Sequence, residues 1–216
     1  MILRSEIVPL FFQILLISLF SLGFTTAKGT KYVTYGSVLK LMNVDFNLRL
    51  HSHDIRYGSG SGQQSVTGIE VKEDGNSYWL VKEKYGKQYT RGKPIKCGDI
   101  IRLEHIATKK NLHSHLVNSP LSGKQEISAY GDYRGEGDSG DNWQIVCRTD
   151  FWERDDTVRL KHVDTNAGRS YTHLVGQMEV IGDYSPDSRH VEWKTMEGLF
   201  VHPADFKAHH YEHTEL

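Results

Sequence analysis

The sequence has few cysteines, a net charge close to zero and little helical periodicity. These features argue against several classes of protein. Its 216 residues include two cysteines and no Cys-x-x-Cys pair, which argues against disulfide-exchange chemistry. The formal net charge is −1 and the pI is about 6.9, so there is no electrostatic footprint for nucleic acid or an anionic membrane. Hydrophobic residues make up 38% and charged residues 25%, which is typical of a folded soluble domain.

Motifs that carry catalysis are missing as well. The chain has no His-Glu-x-x-His, no nucleophile elbow and no cysteine with a matched histidine. An active site cannot be assembled from these residues, so we expect no enzymatic activity and no cofactor. The twelve histidines are unusual, and they predict a surface charge that responds to mild acidification.

The two ends of the chain carry address signals. Residues 1–27 read as a secretory signal peptide, with an apolar run at Leu10–Phe24 and small residues before a cleavage point after Ala27. An uncleaved membrane anchor is the alternative, but the run is shorter than the roughly 20 residues needed to span a bilayer and contains Gln13. We therefore expect no membrane insertion after cleavage.

The last four residues, His213, Thr214, Glu215 and Leu216, resemble the retrieval signal of the endoplasmic reticulum lumen, with Thr where Asp is usual. Four residues alone are a weak match, and an arbitrary polar tail is the alternative. Because a secretory signal accompanies them, the pair of signals predicts residence in that lumen.

Between these ends, one pattern occurs three times. Three apolar positions keep one register without a gap, offset by 62 residues between the first and second copies and by 57 between the second and third. The aligned sets are Leu39/Ile101/Val158, Leu41/Leu103/Leu160 and Val44/Ile106/Val163. Self-similarity of this kind indicates repeated units that cannot bury an apolar face alone. The repeats are placed at 30–84, 92–147 and 148–203, followed by a tail at 204–216.

Short runs of β-forming residues bounded by Gly, Asp, Asn and Ser predict four strands in each repeat. They lie near Ser37–Val44, Leu48–His53, Ser65–Val71, Tyr78–Lys84, Asp99–Ile106, Asn111–Leu116, Glu126–Tyr130, Asn142–Cys147, Thr157–Val163, Ser170–Leu174, Met178–Gly182 and Val191–Met196. Twelve short antiparallel strands in three units favour an all-β fold, the β-trefoil, whose barrel closure removes exposed strand edges. A propeller also uses four strands per unit but has at least four blades, so the trefoil is preferred.

A tryptophan closes each repeat, at Trp79, Trp143 and Trp193. We expect all three in the core, where a buried large side chain contributes roughly 1.5–3 kcal/mol.

The two cysteines, Cys97 and Cys147, border the second repeat. In an oxidising compartment they are a candidate disulfide closing a loop of about 50 residues, worth roughly 4 kcal/mol in the chain-entropy model; two buried free thiols are the alternative.

Three segments could carry a ligand. His51 and His53, in the Leu-His-Ser-His motif that recurs at 112–115, lie on one face of a strand and could chelate a metal. The third repeat does not keep the motif in register, so no metal site is predicted. The Gly58–Gly62 loop lacks the following helix of a phosphate cradle, and the acidic segment Gly131–Asp141 lacks EF-hand spacing. Both are interpreted as ordinary loops.

Together the motifs resemble stromal cell-derived factor 2 and its relatives, small proteins made of three MIR repeats. The segments that carry the resemblance are Tyr35–Leu41, Leu50–Asp54, Tyr57–Gly68, Asn76–Trp79, Pro94–Gly98, Asn111–His115, Ser119–Ser122 and Met196–Gly198. The similarity runs from about Tyr32 to Pro203. Tyr35 and Tyr89 depart from it, since relatives often carry a second cysteine pair at these positions.

This resemblance implies a β-trefoil in the endoplasmic reticulum lumen without catalytic activity. It also implies work beside the chaperone BiP and J-domain co-chaperones on unfolded client proteins. The alternative is a carbohydrate- or peptide-binding trefoil linked to protein O-mannosylation. If a binding surface exists, we expect it in the loops Asp54–Gln64 and His115–Lys124, although ordinary turns are an equally good interpretation. The candidate residues are His51, His53, Asp54, Tyr57, Gln63, Gln64, His113 and His115.

Overall fold

A computed structural model describes residues 30–88, 90–173, 178–183 and 189–203. The predicted signal peptide, the tail with its four terminal residues, and Tyr89 lie outside this part of the chain. Twelve strands are present in it: β1 Val38–Asn43, β2 Arg49–Arg56, β3 Gln64–Ile69, β4 Trp79–Glu83, β5 Ile100–His105, β6 Asn111–Asn118, β7 Gln125–Tyr130, β8 Trp143–Val146, β9 Thr157–His162, β10 Gly168–His173, β11 Met178–Asp183 and β12 Glu192–Leu199. A 3₁₀ turn precedes the last strand of each repeat, at Gly75–Ser77, Ser139–Asp141 and Arg189–Val191.

Six strands close a barrel. The antiparallel pairs β1–β4, β4–β5, β5–β8, β8–β9, β9–β12 and β12–β1 form a complete ring. The other six form three hairpins, β2–β3, β6–β7 and β10–β11, whose second strands pair with one another in a triangle. A ring of six strands capped by three hairpins is a β-trefoil and not a propeller, because no blade exists as a separate sheet. The expected fold class is therefore confirmed.

The core is built from the aligned apolar positions of the repeats. All three members of each of the first two sets are buried, as are all three repeat tryptophans. The third set is different: Val163 is exposed, and the shared role lies in the backbone. The amides of Val44, Ile106 and Val163 donate to the carbonyls of Glu192, Tyr78 and Asn142, each the residue before a repeat tryptophan. This set closes the turn after the first strand and does not fill the core.

The turn itself repeats to the level of single residues. Asn47, Lys109 and Asn166 occupy equivalent positions, and all three have positive φ, at 54°, 62° and 59°. Four residues earlier, Asn43, His105 and His162 are equally buried. The side chain of each bonds the carbonyl located three residues before a repeat tryptophan, in His190, Asn76 and Gly140 respectively. An asparagine amide or a histidine imidazole can thus donate the same hydrogen bond at this position.

Buried glutamines connect neighbouring repeats. Gln64 Nε2 donates to Ser52 Oγ in its own repeat, at 2.8 Å, and to Thr108 Oγ1 in the second repeat, at 2.9 Å. Gln125 repeats the arrangement, donating to Ser114 Oγ and to Thr165 Oγ1 of the third repeat, both at 2.7 Å. The interfaces between repeats are therefore fastened by hydrogen bonds as well as by apolar packing.

Two further features lie outside the repeat pattern. Trp152 is fully buried, and its Nε1 donates to Thr195 Oγ1 at 3.1 Å. Cys97 and Cys147, 50 residues apart with Cα atoms separated by 5.5 Å, form a disulfide that ties together the two ends of the second repeat.

Candidate binding groove

A row of polar and aromatic side chains lies on the face of the second cap hairpin opposite the core, and His113 in this row is itself buried. In β6, Leu112 and Ser114 face the core, whereas His113 and His115 lie on the opposite face because successive side chains of a strand alternate. Tyr130 extends from the neighbouring strand on the same face as His113, and the two ring centroids are 5.0 Å apart. The imidazole of His115 lies edge-on to that of His113, with centroids 5.1 Å apart.

The 3₁₀ turn at Ser139–Asp141 fixes His113 from one side. Asp138 Oδ1 accepts a hydrogen bond from the amide of Gly140, and Asp141 Oδ2 accepts from the amide of Asp138, which makes a capping box. Asp141 Oδ1 is 3.0 Å from His113 Nδ1. Burial raises the pKa of the Asp141 carboxyl, and the hydrogen bond from His113 opposes this only in part.

A groove of about 550 Å³ opens between this turn and the third repeat. Asp164 stands on the far side, where its Oδ2 accepts a hydrogen bond from Ser139 Oγ at 2.9 Å. The lining side chains are Gln63, His113, His115, Leu116, Tyr130, Asp138, Ser139, Asp164 and Thr165. The volume lies within the range of small-molecule sites, and aromatic, carboxylate, imidazole and amide groups converge on it.

The equivalent place in the first repeat is closed by its own side chains. His51 Nδ1 is 2.8 Å from Asp74 Oδ2, and His51 Nε2 is 2.8 Å from His53 Nδ1. Burial lowers the pKa of His53, and the neighbouring His51 adds to this. In Asp74, the hydrogen bonds from Ser77 and His51 outweigh burial and lower the pKa of the carboxyl. The imidazoles therefore satisfy each other and leave no free pair of nitrogens for a metal.

One cluster in the described residues has ligand atoms close enough together for an ion. It consists of His113, Asp138 and Asp141, whose ligand atoms lie within 4.8 Å of one another. The capping box and the His113–Asp141 hydrogen bond already account for this arrangement, since Asp138 and Asp141 each accept from a backbone amide. The proximity follows from the fold of the turn.

Residue types of a hydrolytic triad meet in the first repeat, but in the wrong order. Ser77 Oγ donates to Asp74 Oδ2 at 2.6 Å, and the same carboxylate faces His51. Nucleophilic catalysis needs the histidine between the serine and the carboxylate, where it can take the serine proton. Here the carboxylate separates them, so the arrangement is structural.

The glycine-rich loop Gly58–Gly62 binds the carboxylate of Glu126, a side chain of the same protein. The amide of Ser61 donates to Glu126 Oε2 at 3.3 Å, and the Ser61 hydroxyl donates to Oε1. His115 Nε2 approaches the same carboxylate, at 3.2 Å. Burial opposes ionisation of Glu126, but the bonds from His115 and Ser61 prevail and lower its pKa. The loop fastens the first repeat to the second.

The predicted candidate residues divide into three groups in the structure. Gln63, His113 and His115 line the groove, and Gln63 Oε1 accepts from Ser128 Oγ at 2.5 Å. His51 and His53 form the closed cluster of the first repeat, while Asp54 is exposed on β2. Tyr57 and Gln64 are buried: the Tyr57 hydroxyl donates to Ile127 O at 3.0 Å, and Gln64 bridges two repeats. These two side chains hold the fold and do not form a contact surface.

Sequence reasoning missed Tyr130 and Asp164, which come from a strand end and a turn in different repeats. Their signal lies in the alignment of the repeats. Tyr130 corresponds to Ile69 of the first repeat, and Asp164 of the third repeat corresponds to Ala107 of the second and to Asp45 of the first. Tyr130 is therefore the clearer departure from the repeat pattern.

Comparison with known proteins identifies the class. The MIR domain model matches residues 32–174, so the chain is a β-trefoil of the MIR type. It is 50% identical over 196 residues to stromal cell-derived factor 2 of Mus musculus, which covers 88% of this chain and 92% of that protein. It is 46% identical over 202 residues to stromal cell-derived factor 2-like protein 1 of Homo sapiens, covering 91% and 90% of the two chains. The chain belongs to the stromal cell-derived factor 2 family.

Solved structures agree with this assignment. The crystal structure of the SDF2-like protein from Arabidopsis thaliana is 42% identical, with a TM-score of 0.75, and covers 79% of this chain and 98% of that one. A protein O-mannosyltransferase complex from S. cerevisiae, solved with its sugar donor, superimposes with a TM-score of 0.67 over 87% of this chain and 31% of that one. At 23% identity this second likeness shows the fold alone. Among the described residues, no helix is long and apolar enough to cross a membrane.

Proposed function

We propose that the protein is a non-enzymatic binding protein of the endoplasmic reticulum lumen that assists a BiP-type chaperone and its J-domain co-chaperone in keeping unfolded clients soluble. The observation that carries the proposal is the 50% identity to stromal cell-derived factor 2 across nearly the whole chain. The resemblance brings with it the expectation of work beside these partners. The absence of a nucleophile–base arrangement in the His51–Asp74–Ser77 cluster supports a role by contact.

A client-binding surface needs accessible apolar groups, and the second cap hairpin supplies them. Leu116 is 82% exposed and Leu121 is 53% exposed, so both depart from the usual burial of leucine. Leu116 lies on a ridge between the groove and a second cleft of about 490 Å³, which is lined also by Val117, Lys124 and Ile181. Apolar side chains of an unfolded segment could cover this ridge while its backbone stays solvated.

Suppression of aggregation tests the proposal. A reduced client is mixed with a BiP-type chaperone, a J-domain protein and ATP, and light scattering is followed with and without the mature protein. We expect slower aggregation in its presence. Leu116→Asp restores the residue that the first repeat carries at Asp54 and should weaken the effect, as should Leu121→Ser. Leu199→Ser, which changes an exposed leucine on a barrel strand, serves as the control. If the wild-type protein leaves scattering unchanged, the proposal is wrong.

Residence in the lumen is tested separately. We expect removal of residues His213–Leu216 to release the protein into the medium of secreting cells, and Thr214→Asp to retain it at least as well as the natural tail. Equal secretion of the natural and the truncated chain would contradict a retrieval role for these four residues.

A second candidate function is recognition of carbohydrate chains. It is supported by one specific observation, the open groove in which Tyr130 stands among Asp138, Asp164, His113 and Gln63. Carbohydrate binding and assistance to a chaperone are compatible, because the groove and the Leu116 ridge are adjacent.

A further inference from the structure

The groove between the second and third repeats carries side chains that the fold does not require. Where a polar group holds the trefoil together, the repeats keep it: Ser52 matches Ser114, and Thr108 matches Thr165, with the same bonds to a glutamine. Three of the groups that face the groove do not follow this rule.

Three positions illustrate the departure. Tyr130 and Ser139 stand where the first repeat has Ile69 and Gly75, and Asp164 of the third repeat stands where the second repeat has Ala107. The first repeat carries Asp45 at that last position, where it pairs with His190 of the third repeat. All three substitutions add a hydrogen-bonding group, and all three line one groove. Because the boundary between the first and second repeats forms without these groups, the packing of one repeat on the next does not require them.

The polar groups of the groove are mixed in kind. Asp138 is half exposed, with 52% of its side chain accessible, and Asp164 is exposed, so each has carboxylate oxygens that face solvent and accept hydrogen bonds. Ser139 Oγ donates to Asp164 and Gln63 Oε1 accepts from Ser128, which leaves the hydroxyl oxygen of Ser139 as an acceptor and the amide nitrogen of Gln63 as a donor. His113 Nδ1 bonds Asp141 and His115 Nε2 bonds Glu126, so each imidazole adds only its other ring nitrogen. The Tyr130 ring, 39% exposed, gives an amphipathic face beside them.

This mixture selects a class of ligand. Two carboxylates would repel an anionic ligand, and a cation could not accept hydrogen bonds from the donors that line the groove. A hydroxyl group donates one hydrogen bond and accepts others. A pyranose ring presents several hydroxyls at its edge and an apolar C–H face that can lie against an aromatic ring. We propose that this groove binds one neutral pyranose residue, with its apolar face on Tyr130 and its hydroxyls donating to Asp138 and Asp164.

The proposal deepens and rests on the second candidate function, and it places recognition in the groove between the second and third repeats. Asp141 positions His113 through the bond at 3.0 Å, and Gly140 permits the close approach because a Cβ there would lie 2.4 Å from His113 Cε1. In the first repeat, His51 Nε2 lies at hydrogen-bond distance from His53 Nδ1, and His51 Nδ1 from Asp74 Oδ2, so no equivalent subsite forms.

Titration of the ¹⁵N-labelled mature protein with methyl hexopyranosides of mannose, glucose and galactose tests the inference by amide chemical-shift mapping. We expect saturable changes, in the millimolar range typical of a single sugar, at Tyr130, Asp138, Gly140 and Asp164. The amides of Ile69 and Asp74 in the first repeat and of Ala107 in the second, the matched positions at the boundary between those two repeats, should not respond.

The matched variant is the double substitution Tyr130→Ile and Asp164→Ala, which gives the second groove the residues of the first. We expect binding to weaken by about tenfold or more, through loss of the stacking face and one acceptor. A melting temperature equal to that of the wild-type protein, and unchanged amide shifts away from the groove, would show that the variant is folded. The wild-type map does not depend on the variant, so it decides the question even if the variant unfolds.

Several results would overturn the proposal. These are the absence of any saturable shift with all three sugars, shifts centred on the first repeat, or binding that survives the double substitution. Stronger binding of a lysine-containing peptide than of any sugar would assign the groove to cationic segments instead. A glycan array positive for the double variant would keep carbohydrate recognition and reject only this subsite.

Discussion

Gln64 of the first repeat and Thr108 of the second are joined by a hydrogen bond of 2.9 Å that crosses the boundary between the repeats. The glutamine also donates to Ser52 Oγ, and the threonine hydroxyl lies 2.9 Å from His105 Nδ1, so the bond belongs to a buried chain of polar groups. The third repeat has Met178 at the position of Gln64. One interface of the trefoil therefore forms without this side chain.

We expect Gln64→Ala to lower the free energy of unfolding by about 2–3 kcal/mol, because it removes two buried hydrogen bonds and leaves space behind. Gln64→Met keeps the volume and imitates the third repeat, so its cost should stay below about 1.5 kcal/mol. Denaturant unfolding at constant slope measures both. A double-mutant cycle with Thr108→Val should give a coupling of roughly 0.5–1.5 kcal/mol; strictly additive effects would show that the bond across the boundary contributes nothing.

Acid should destabilise the protein through two buried histidines. Burial is the main reason that the pKa of His105 and of His162 lies below the ordinary value of 6.5. Below about pH 6.5 the unfolded chain binds protons that the folded chain does not. The stability is therefore complete above that pH and falls as the pH drops towards the folded pKa, by up to about 1.4 kcal/mol per pH unit for each histidine.

The first repeat supplies the matched variant, since Asn43 fills the same position. In His105→Asn/His162→Asn we expect a smaller loss of stability between pH 7.5 and 5.5 than in the natural chain, followed by urea unfolding at both pH values. The raised pKa values of Asp141 and Glu179, caused mainly by burial, act in the opposite direction. The difference between the two proteins is therefore the relevant quantity, and equal losses would contradict the assignment.

Gly140 should not tolerate a side chain, although the first repeat has Asn76 at the same position. A Cβ on Gly140 would lie 2.4 Å from His113 Cε1 and 2.9 Å from the carbonyl oxygen of Ser114. We expect Gly140→Ala to cost about 1–3 kcal/mol and to displace His113 from the groove. Gly75→Ala, which meets no atom within 4 Å, is the control and should change the melting temperature little. Equal melting temperatures for the two variants would refute the proposed contact.

The outline of this fold could be predicted from the sequence because the first strand of each repeat holds its register. Leu39, Ile101 and Val158 are equivalent in sequence and equally buried in space. The sequence places the third apolar set in the same pattern, yet Val163 is exposed, because the contact that the repeats share at this position is a hydrogen bond donated by the backbone amide. Side-chain pattern alone does not reveal a backbone role.

The candidate site was less predictable. His113 and His115 follow from a visible motif, but the groove also depends on Tyr130 and Asp164, which approach them only after the second and third repeats pack together. Trp152 falls outside the repeat alignment, and its burial follows from contact with Thr195 near the end of the chain. Both cases depend on tertiary contacts between segments with no local pattern in common.

The disulfide should contribute measurably to stability. Cys97 and Cys147 close a loop of 50 residues that spans the second repeat. Constraint of the unfolded chain gives roughly 4 kcal/mol in the chain-entropy model. We expect Cys97→Ala/Cys147→Ala to unfold at lower denaturant and to be insensitive to dithiothreitol, whereas the natural protein should move towards the variant when reduced. An unchanged midpoint on reduction would argue that the bond has no stabilising role.

Pairing of β1 with β12 has a consequence for biosynthesis. The first strand of the ring meets the last, so Val38 cannot pair with Leu199 until all the intervening strands have been synthesised. During that interval the amino-terminal repeat displays an unpaired strand edge, which is open to association with other chains. A protein proposed to guard unfolded clients thus passes through a stage in which it resembles one.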